Sequence, residues 1–317
     1  MRKSITILIV VAVLAVAFGG FPEQNDAEAQ GPIVVVGSKN FNEAIMLSYI
    51  VYYVLEDAGF RVLDQTNTGT TAEARAALLN GDIDVYVEYT GTGVLLLSEQ
   101  YPDIVQAQTA FDPVAGISTL STFDLVFNDL IWLYPAPANN TYVLTVTKDF
   151  SDQNEIATMS QLADYVRDGG NVMVAGSTEF LTRPDALPAF LNTYRFDVTP
   201  NQRYEIPDAG PAETLEALRN GTNGTNVAMA FGTAGELVGS EFVVLADEQD
   251  AQPVYQPAPV FRGDLIRENP DIATLLQPVF ASLDARTLQR LNAGVAQFGD
   301  TPQQAAMLYL QENGFID

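Results

Sequence analysis

The sequence predicts an α/β fold built from two similar lobes. Short apolar runs alternate along the chain with stretches of helical periodicity, which is typical of α/β domains. Nearly the same strand exit occurs twice, as GSKNF beginning at Gly37 and as GSTEF beginning at Gly176. Further matches between the two halves keep an almost constant spacing, and a duplicated architecture explains such an ordered series far better than chance does.

The first half has the pattern of a parallel β-α-β-α-β unit. Its predicted elements, in chain order, are a strand at 33–36, a helix at 41–58, a strand at 61–64, a helix at 73–79 and a strand at 83–89. Asn80-Gly81 ends the second helix, and Thr90-Gly91-Thr92 follows the third strand.

The second half repeats this order. Its predicted elements are a strand at 172–175, helices at 186–193 and 212–218, and a strand at 227–231. The pairs Ala72-Glu73, Ala77-Leu78 and Asn80-Gly81 recur at one fixed offset as Ala212-Glu213, Ala217-Leu218 and Asn220-Gly221. Two equivalent sheets are therefore expected, with the helical C-terminal part from residue 264 packed on the first lobe.

The N-terminal residues have the pattern of an export signal. Arg2 and Lys3 precede an apolar run over 5–18, and Ala27-Glu28-Ala29 matches a cleavage site. Residues 1–29 are thus predicted to be a signal peptide, with an uncleaved membrane anchor extending to Phe21 as the alternative.

The remaining chain divides into two lobes joined by two crossover segments. The first lobe is predicted to comprise residues 30–138 plus 256–317, and the second lobe residues 139–255. The crossovers are placed near 134–142 and 246–258, where the sequence is rich in proline.

Composition excludes several classes of function. The net charge of −25 argues against binding to nucleic acid, because a phosphate backbone needs a basic surface. The chain contains no histidine and no cysteine, so Ser-His-Asp and Cys-His catalysis and nearly all zinc and copper sites are excluded. No run has the EF-hand spacing. We therefore expect no catalytic residues, no metal and no cofactor, with an oxygen-ligand cation site built on Asp and Glu as the alternative that stays open.

Aromatic and cationic residues follow the predicted strand ends and crossovers. The strand ends of two facing α/β sheets line a common cleft, which is where ligands bind in this architecture. Aromatic faces attract a quaternary ammonium, and cationic or hydroxyl donors hold a carboxylate. The aromatic candidates are Tyr89, Tyr142, Phe231 and Tyr255, and the donor candidates are Lys39, Thr92 and Arg183. Together they suit a methylated zwitterion, of which glycine betaine is the simplest.

Each of these residues also has a structural explanation. Tyrosine and phenylalanine at strand ends commonly pack in the core or at its rim. Lys39 could be a solvated surface residue, and Arg183 could pair locally with Asp185.

Five ordered motifs give the chain a family resemblance. GSKNFNEAIML, ALLNGDIDVYVEYTGT, WLYPAPANNTY, GSTEFLTRPDALP and YQPAPVFRGDL cover most of residues 33–265. The chain resembles the osmoprotectant-binding proteins of ABC importers for glycine betaine, carnitine and choline. The resemblance implies a two-lobe periplasmic-binding-protein fold of type II, which closes around its ligand and delivers it to a membrane permease.

The resemblance also implies roles for individual residues. It assigns an aromatic cage to Tyr89, Tyr142 and Tyr255, carboxylate binding to Lys39, Thr92 and Arg183, and a polar position beside the cage to Asn140. Phe231 departs from the family pattern, which commonly has tyrosine followed by Ser/Thr, Thr and an acidic residue. Here Gly232, Thr233 and Ala234 follow, so this wall of the cage is the least well matched.

Glycine betaine or a related zwitterion is the expected ligand, because choline has no carboxylate for Lys39 and Arg183 to bind. Choline, an amino acid or a non-methylated cation in the same fold is the first alternative. A carboxylate-based hydrolase using Glu88 with Glu179 is the second, and both residues suit supporting roles better. A monomer is expected, exported to the periplasm or the outer face of the cytoplasmic membrane, with an ABC permease and its ATPase as partners.

Overall fold

The computed structural model describes residues 32–207, 209–239 and 241–317. The predicted signal peptide lies outside these residues. Within them, ten strands are found: β1 (Ile33–Lys39), β2 (Arg61–Gly69), β3 (Val85–Tyr89), β4 (Leu130–Trp132), β5 (Tyr142–Thr147), β6 (Val174–Gly176), β7 (Arg203–Glu205), β8 (Val227–Phe231), β9 (Phe242–Val244) and β10 (Pro257–Arg262).

Helices connect and cover these strands. In chain order the α-helices are α1 (Asn42–Asp57), α2 (Thr71–Asn80), α3 (Thr90–Gln100), α4 (Pro113–Thr119), α5 (Leu125–Asn128), α6 (Lys148–Asn154), α7 (Met159–Arg167), α8 (Thr178–Thr182), α9 (Leu187–Tyr194), α10 (Pro211–Asn220), α11 (Gly263–Glu268), α12 (Asp271–Ala281), α13 (Ala285–Gln297) and α14 (Pro302–Glu312). A π-helical turn, Leu120–Asp124, joins α4 to α5, and a short 3-10 turn, Gly235–Leu237, follows β8.

The strands form two five-stranded sheets with equivalent topology. The first sheet has the order β2-β1-β3-β10-β4, and the second has the order β7-β6-β8-β5-β9. In each sheet the first three strands are parallel, while β10 and β5 run antiparallel to both of their neighbours. The duplication predicted from the repeated motifs is therefore present, although the sheets are mixed rather than wholly parallel. Each sheet, with its helices, forms one lobe.

Each lobe has its own apolar core. The first core joins β1 and α1 to the C-terminal helices, with Leu47, Phe280 and Leu310 fully buried. The second core gathers residues such as Phe180 and Phe190 beneath the second sheet. The C-terminal helices α12, α13 and α14 all contribute buried residues to the first core. Among the described residues, no helix combines the length and apolarity needed to cross a bilayer.

The Asn-Gly dipeptides end equivalent helices in the two lobes. Gly81 follows α2 with φ of 80°, and Gly221 follows α10 with φ of 59°. This left-handed conformation is easiest for glycine, which explains why both copies keep the same residue after the helix.

A buried ion pair fastens α2 to the π-helical turn. Both Arg75 amino groups donate to Asp124, at 2.8 and 2.5 Å, and the indole nitrogen of Trp132 donates to the same carboxylate at 2.6 Å. The Asp124 side chain is fully buried. This cluster links α2 to β4 beside α3, where Gly93 lies against the Trp132 ring.

Breaking this pair should strongly destabilise the first lobe. Arg75→Ala leaves a buried carboxylate with two of its donors missing, and such a loss typically costs about 3–5 kcal/mol. Chemical denaturation should show this fall in the free energy of unfolding. Arg219→Ala is the matched control, because its partner Glu241 is about half exposed and such pairs contribute about 0–1 kcal/mol. Equal effects of the two substitutions would contradict the prediction.

Candidate ligand-binding site

A cavity of about 650 Å³ lies between the two lobes. It is lined by side chains from both lobes. All eight residues predicted from the sequence line it: Lys39, Tyr89, Thr92, Asn140, Tyr142, Arg183, Phe231 and Tyr255. The structure therefore brings together groups that are distant in the chain, as the meeting of strand ends at one cleft requires.

The second lobe contributes a pair of aromatic rings. Tyr142 and Phe231 lie directly opposite each other on β5 and β8, so their side chains face the same side of the sheet. Their ring centroids are 5.2 Å apart, and Phe180 packs behind Tyr142 at the same distance. Burial raises the pKa of Tyr142 to about 12, so its phenol stays neutral at physiological pH. Phe231 thus keeps an aromatic face despite the missing hydroxyl.

The first lobe contributes Tyr89 from the end of β3. Its hydroxyl donates to the Glu43 carboxylate at 2.7 Å, and Phe41 stacks at 6.0 Å between ring centroids. Burial raises the pKa of Tyr89 well above its ordinary value. A phenol that donates to a carboxylate carries extra electron density, which strengthens the attraction of its ring for a cation.

Tyr255 comes from the segment that returns to the first lobe. Its backbone N–H donates to the side-chain oxygen of Asn139 at 2.8 Å, which fixes the segment against the first crossover. The ring lies over the first turn of α3, where a Cβ on Gly91 would come within 2.9 Å of it. Glycine is therefore required there for the ring to approach. Burial raises the pKa of Tyr255 to about 12.

Lys39 is buried and paired rather than solvated. Its ammonium donates to Glu88 at 2.6 Å, and the Glu88 side chain is fully buried. The same ammonium lies 4.6 Å from the ring centroid of Tyr89 and 5.6 Å from that of Phe41. The cation therefore sits beside the aromatic wall of its own lobe and is already neutralised.

Arg183 has a parallel arrangement in the second lobe. Its guanidinium donates to Asp185 at 2.8 and 2.5 Å and also donates to Glu179. The Asp185 hydrogen bond raises the pKa of Arg183, and Arg183 lowers the pKa of Asp185. The guanidinium carbon lies 5.8 Å from the Tyr142 ring centroid. Arg183 therefore pairs locally with Asp185 and also lines the cavity.

The two remaining predicted residues, Thr92 and Asn140, also line the cavity. Thr92 lies in the first turn of α3 and lines the cavity. The Asn140 amide donates to Glu43 at 2.9 Å, and its backbone N–H donates to the Tyr255 carbonyl at 3.0 Å. Asn140 thus connects the crossovers to the carboxylate that holds Tyr89.

Several lining residues were missed by the sequence reasoning. The chief ones are Phe41, Glu43, Thr233 and Asn292. Glu43 is 5% exposed and sits within the quoted motif GSKNFNEAIML, so an acidic residue in the first turn of a helix at the cleft could have been flagged. Burial is the main cause that raises its pKa. Asn292 lies in α13, and no local pattern marks it.

The fold and the cavity define a two-lobe substrate-binding protein, and comparisons with known proteins give its family. Residues 32–312 match the family described as the substrate binding domain of ABC-type glycine betaine transport systems. The chain belongs to this family.

Individual relatives agree with that assignment. The chain is 39% identical to the glycine betaine-binding protein YehZ of Escherichia coli, over 89% of this chain and 91% of that protein. It is 30% identical to a glycine-betaine-binding protein of Pseudomonas aeruginosa, over 91% and 90% of the two chains. The solved structure of apo YehZ from E. coli superposes with a TM-score of 0.77, covering 89% of this chain and 99% of that one.

Proposed function

We propose that this chain captures glycine betaine, or a related quaternary-ammonium solute, outside the cytoplasmic membrane and delivers it to the permease of an ABC importer. The observation that carries the proposal is the set of aromatic rings contributed by both lobes to one cavity. Two relatives that are at least 30% identical are named as glycine betaine-binding proteins, which supports the same ligand class here.

The aromatic residues would hold the ammonium end of the ligand. A quaternary ammonium offers no N–H donor, so its methyl groups are best surrounded by ring faces, each contributing about 0.5–2 kcal/mol. We assign this role to Tyr142, Phe231 and Tyr255, together with Tyr89 from the first lobe. All four line the cavity, and all four rings are neutral at physiological pH.

The polar residues would hold the carboxylate end. Lys39 and Arg183 supply charge from opposite lobes, while Thr92 supplies a hydroxyl and Asn140 an amide. A ligand that contacts both lobes stabilises the closed form, and closure would signal occupancy to the permease. In this scheme the chain comprises the lobes 30–138 plus 256–317 and 139–255, and it works as a monomer without catalytic turnover. The signal at 1–29 would export it, and the ATPase of the importer would drive uptake.

Choline is the second candidate, and one observation favours it. Lys39 and Arg183 are both engaged by protein carboxylates, namely Glu88 for the first and Glu179 with Asp185 for the second. Two neutralised cations repel a positively charged ligand less than two free cations would. They also attract a ligand carboxylate less strongly.

Isothermal titration with glycine betaine, proline betaine, carnitine and choline tests the proposal. Heat and a raised melting temperature are expected with the zwitterions, because a ligand that binds only the folded chain stabilises it. Tighter binding of choline than of glycine betaine would favour the second candidate. The absence of heat and of a thermal shift with all four solutes would overturn both.

A further inference from the structure

Helix α13 connects the first lobe to the second beside the cavity. One face of α13 packs in the core of the first lobe, where Leu288 is fully buried. The same helix also lies against the segment that leaves the second sheet after β8, of which residues 233–236 line the cavity. This contact is separate from the two crossovers, which connect the lobes covalently. It is therefore a non-covalent contact between the lobes.

Three side-chain amides of α13 hold the backbone of the second lobe. Gln289 donates to the Gly232 carbonyl, Asn292 to the Thr233 carbonyl and Gln297 to the Gly235 carbonyl, each at 2.8 Å. A Cβ on Gly235 would lie 2.5 Å from the carbonyl carbon of Asn292, so only glycine permits this approach. The contact is therefore a close and directional one.

Asn292 is the member of this set that reaches both lobes. One side-chain nitrogen carries two hydrogens, and it donates to the Thr233 carbonyl in the second lobe and to the Glu43 carboxylate in the first lobe at 2.5 Å. Glu43 also accepts from the Tyr89 hydroxyl and the Asn140 amide. A single carboxylate therefore joins the cavity wall, a crossover and α13.

We propose that Glu43 and Asn292 are positioning residues that hold the lobes closed before the ligand arrives. The proposal deepens the function proposed above and rests on it for the identity of the ligand. When only the closed form binds, the apparent dissociation constant equals the intrinsic one divided by the closed fraction. Loosening the pair would thus weaken binding by lowering the closed fraction, which a distance measured without ligand reports directly.

The absence of cysteine makes the interlobe distance directly measurable. Gln100 is the last residue of α3 in the first lobe and Ala212 lies in the first turn of α10 in the second, and both are exposed beside residues that line the cavity. Gln100→Cys with Ala212→Cys would carry two spin labels, and double electron–electron resonance would report their distance. Without ligand, one short distance is expected, and it should be unchanged by saturating glycine betaine.

Two variants should shift this distance. Asn292→Ala and Glu43→Gln are expected to show a longer distance without ligand, a return to the short one with glycine betaine, and a dissociation constant raised about tenfold. A tenfold rise corresponds to a closed fraction that has fallen to about a tenth. Asn292→Ala removes only a half-buried amide, so it tests the idea even if Glu43→Gln folds poorly.

Matched controls lie elsewhere in the first lobe. Asn269 donates to the Leu265 carbonyl within its own lobe, and Glu56 lies exposed on the same helix as Glu43. Asn269→Ala and Glu56→Gln should leave both the distance and the affinity unchanged. A long distance in the ligand-free starting protein, or a short one retained in both variants, would overturn the proposal. These distances need no ligand, so they decide the point even if glycine betaine does not bind.

Discussion

Replacing Tyr142 and Tyr255 together by leucine should abolish most of the affinity for glycine betaine. Each desolvated ring contributes up to about 2 kcal/mol of cation–π attraction, so the pair should weaken binding by on the order of 10²- to 10³-fold. Leucine keeps the cavity wall apolar while removing the aromatic ring together with its hydroxyl. Isothermal titration of the double variant measures the loss directly.

The control is a tyrosine outside the cavity. Tyr52 lies in an aromatic cluster on α1 with Tyr49 and Tyr53, and Tyr52→Leu should bind as the unmodified protein does. Circular dichroism should show the double variant folded. If that folded variant retained affinity within threefold, the ammonium would have to bind elsewhere.

Lys39→Met should have a large effect on stability and a separate effect on ligand choice. The substitution leaves Glu88 buried without its cation, which typically costs about 3–5 kcal/mol of unfolding free energy. Adding Glu88→Gln removes the unpaired charge, so the double variant should recover most of that loss. The double variant is therefore the right background for binding measurements.

In that double variant, glycine betaine should bind about 10- to 100-fold more weakly, because a charge-assisted hydrogen bond contributes about 1.5–3 kcal/mol. Choline has no carboxylate, so its affinity should be unchanged or should rise as the internal cation leaves the face of Tyr89. Parallel titrations with the two solutes give the comparison. Unchanged affinity for glycine betaine would show that Lys39 does not contact the ligand carboxylate.

The sequence predicts the parallel part of each sheet well, for a physical reason. β1, β3 and β8 are buried almost throughout, so they read as continuous apolar runs that stand out from the helices around them. The first residue of each of these three strands lies within two residues of its predicted position. The ends of β3 and β8 were placed correctly, whereas β1 continues three residues past its predicted end, through Gly37 and Ser38 to Lys39. The error leaves Lys39 at the strand end, so all eight candidate residues still line the cavity.

β10 could not be predicted, because two prolines argue against a strand in the middle of a sheet. The structure accommodates Pro257 and Pro259 on the side of β10 that faces β4, beyond the last residue of that short strand. Their carbonyls accept from Ala136 and Leu133, and no ladder bond needs the missing N–H groups. The segment was therefore predicted as a crossover alone.

α3 was missed because its first turn has the composition of a loop. Gly91 and Gly93 lower helix propensity, yet both are needed for packing. Gly91 admits the ring of Tyr255, and a Cβ on Gly93 would lie 2.5 Å from the ring of Trp132. Tertiary contacts override the local preference here. Asn292 was missed for a related reason, since its function comes from contacts between distant segments.

The position of the single tryptophan determines what fluorescence can reveal. Trp132 is 6% exposed, is hydrogen-bonded to Asp124 and lies beneath the first turn of α3. Its fluorescence emission will change when that turn is disturbed. It will change little when the second lobe moves relative to the first. A solute that fills the hollow while leaving the turn in place would give a silent optical titration even though it binds tightly.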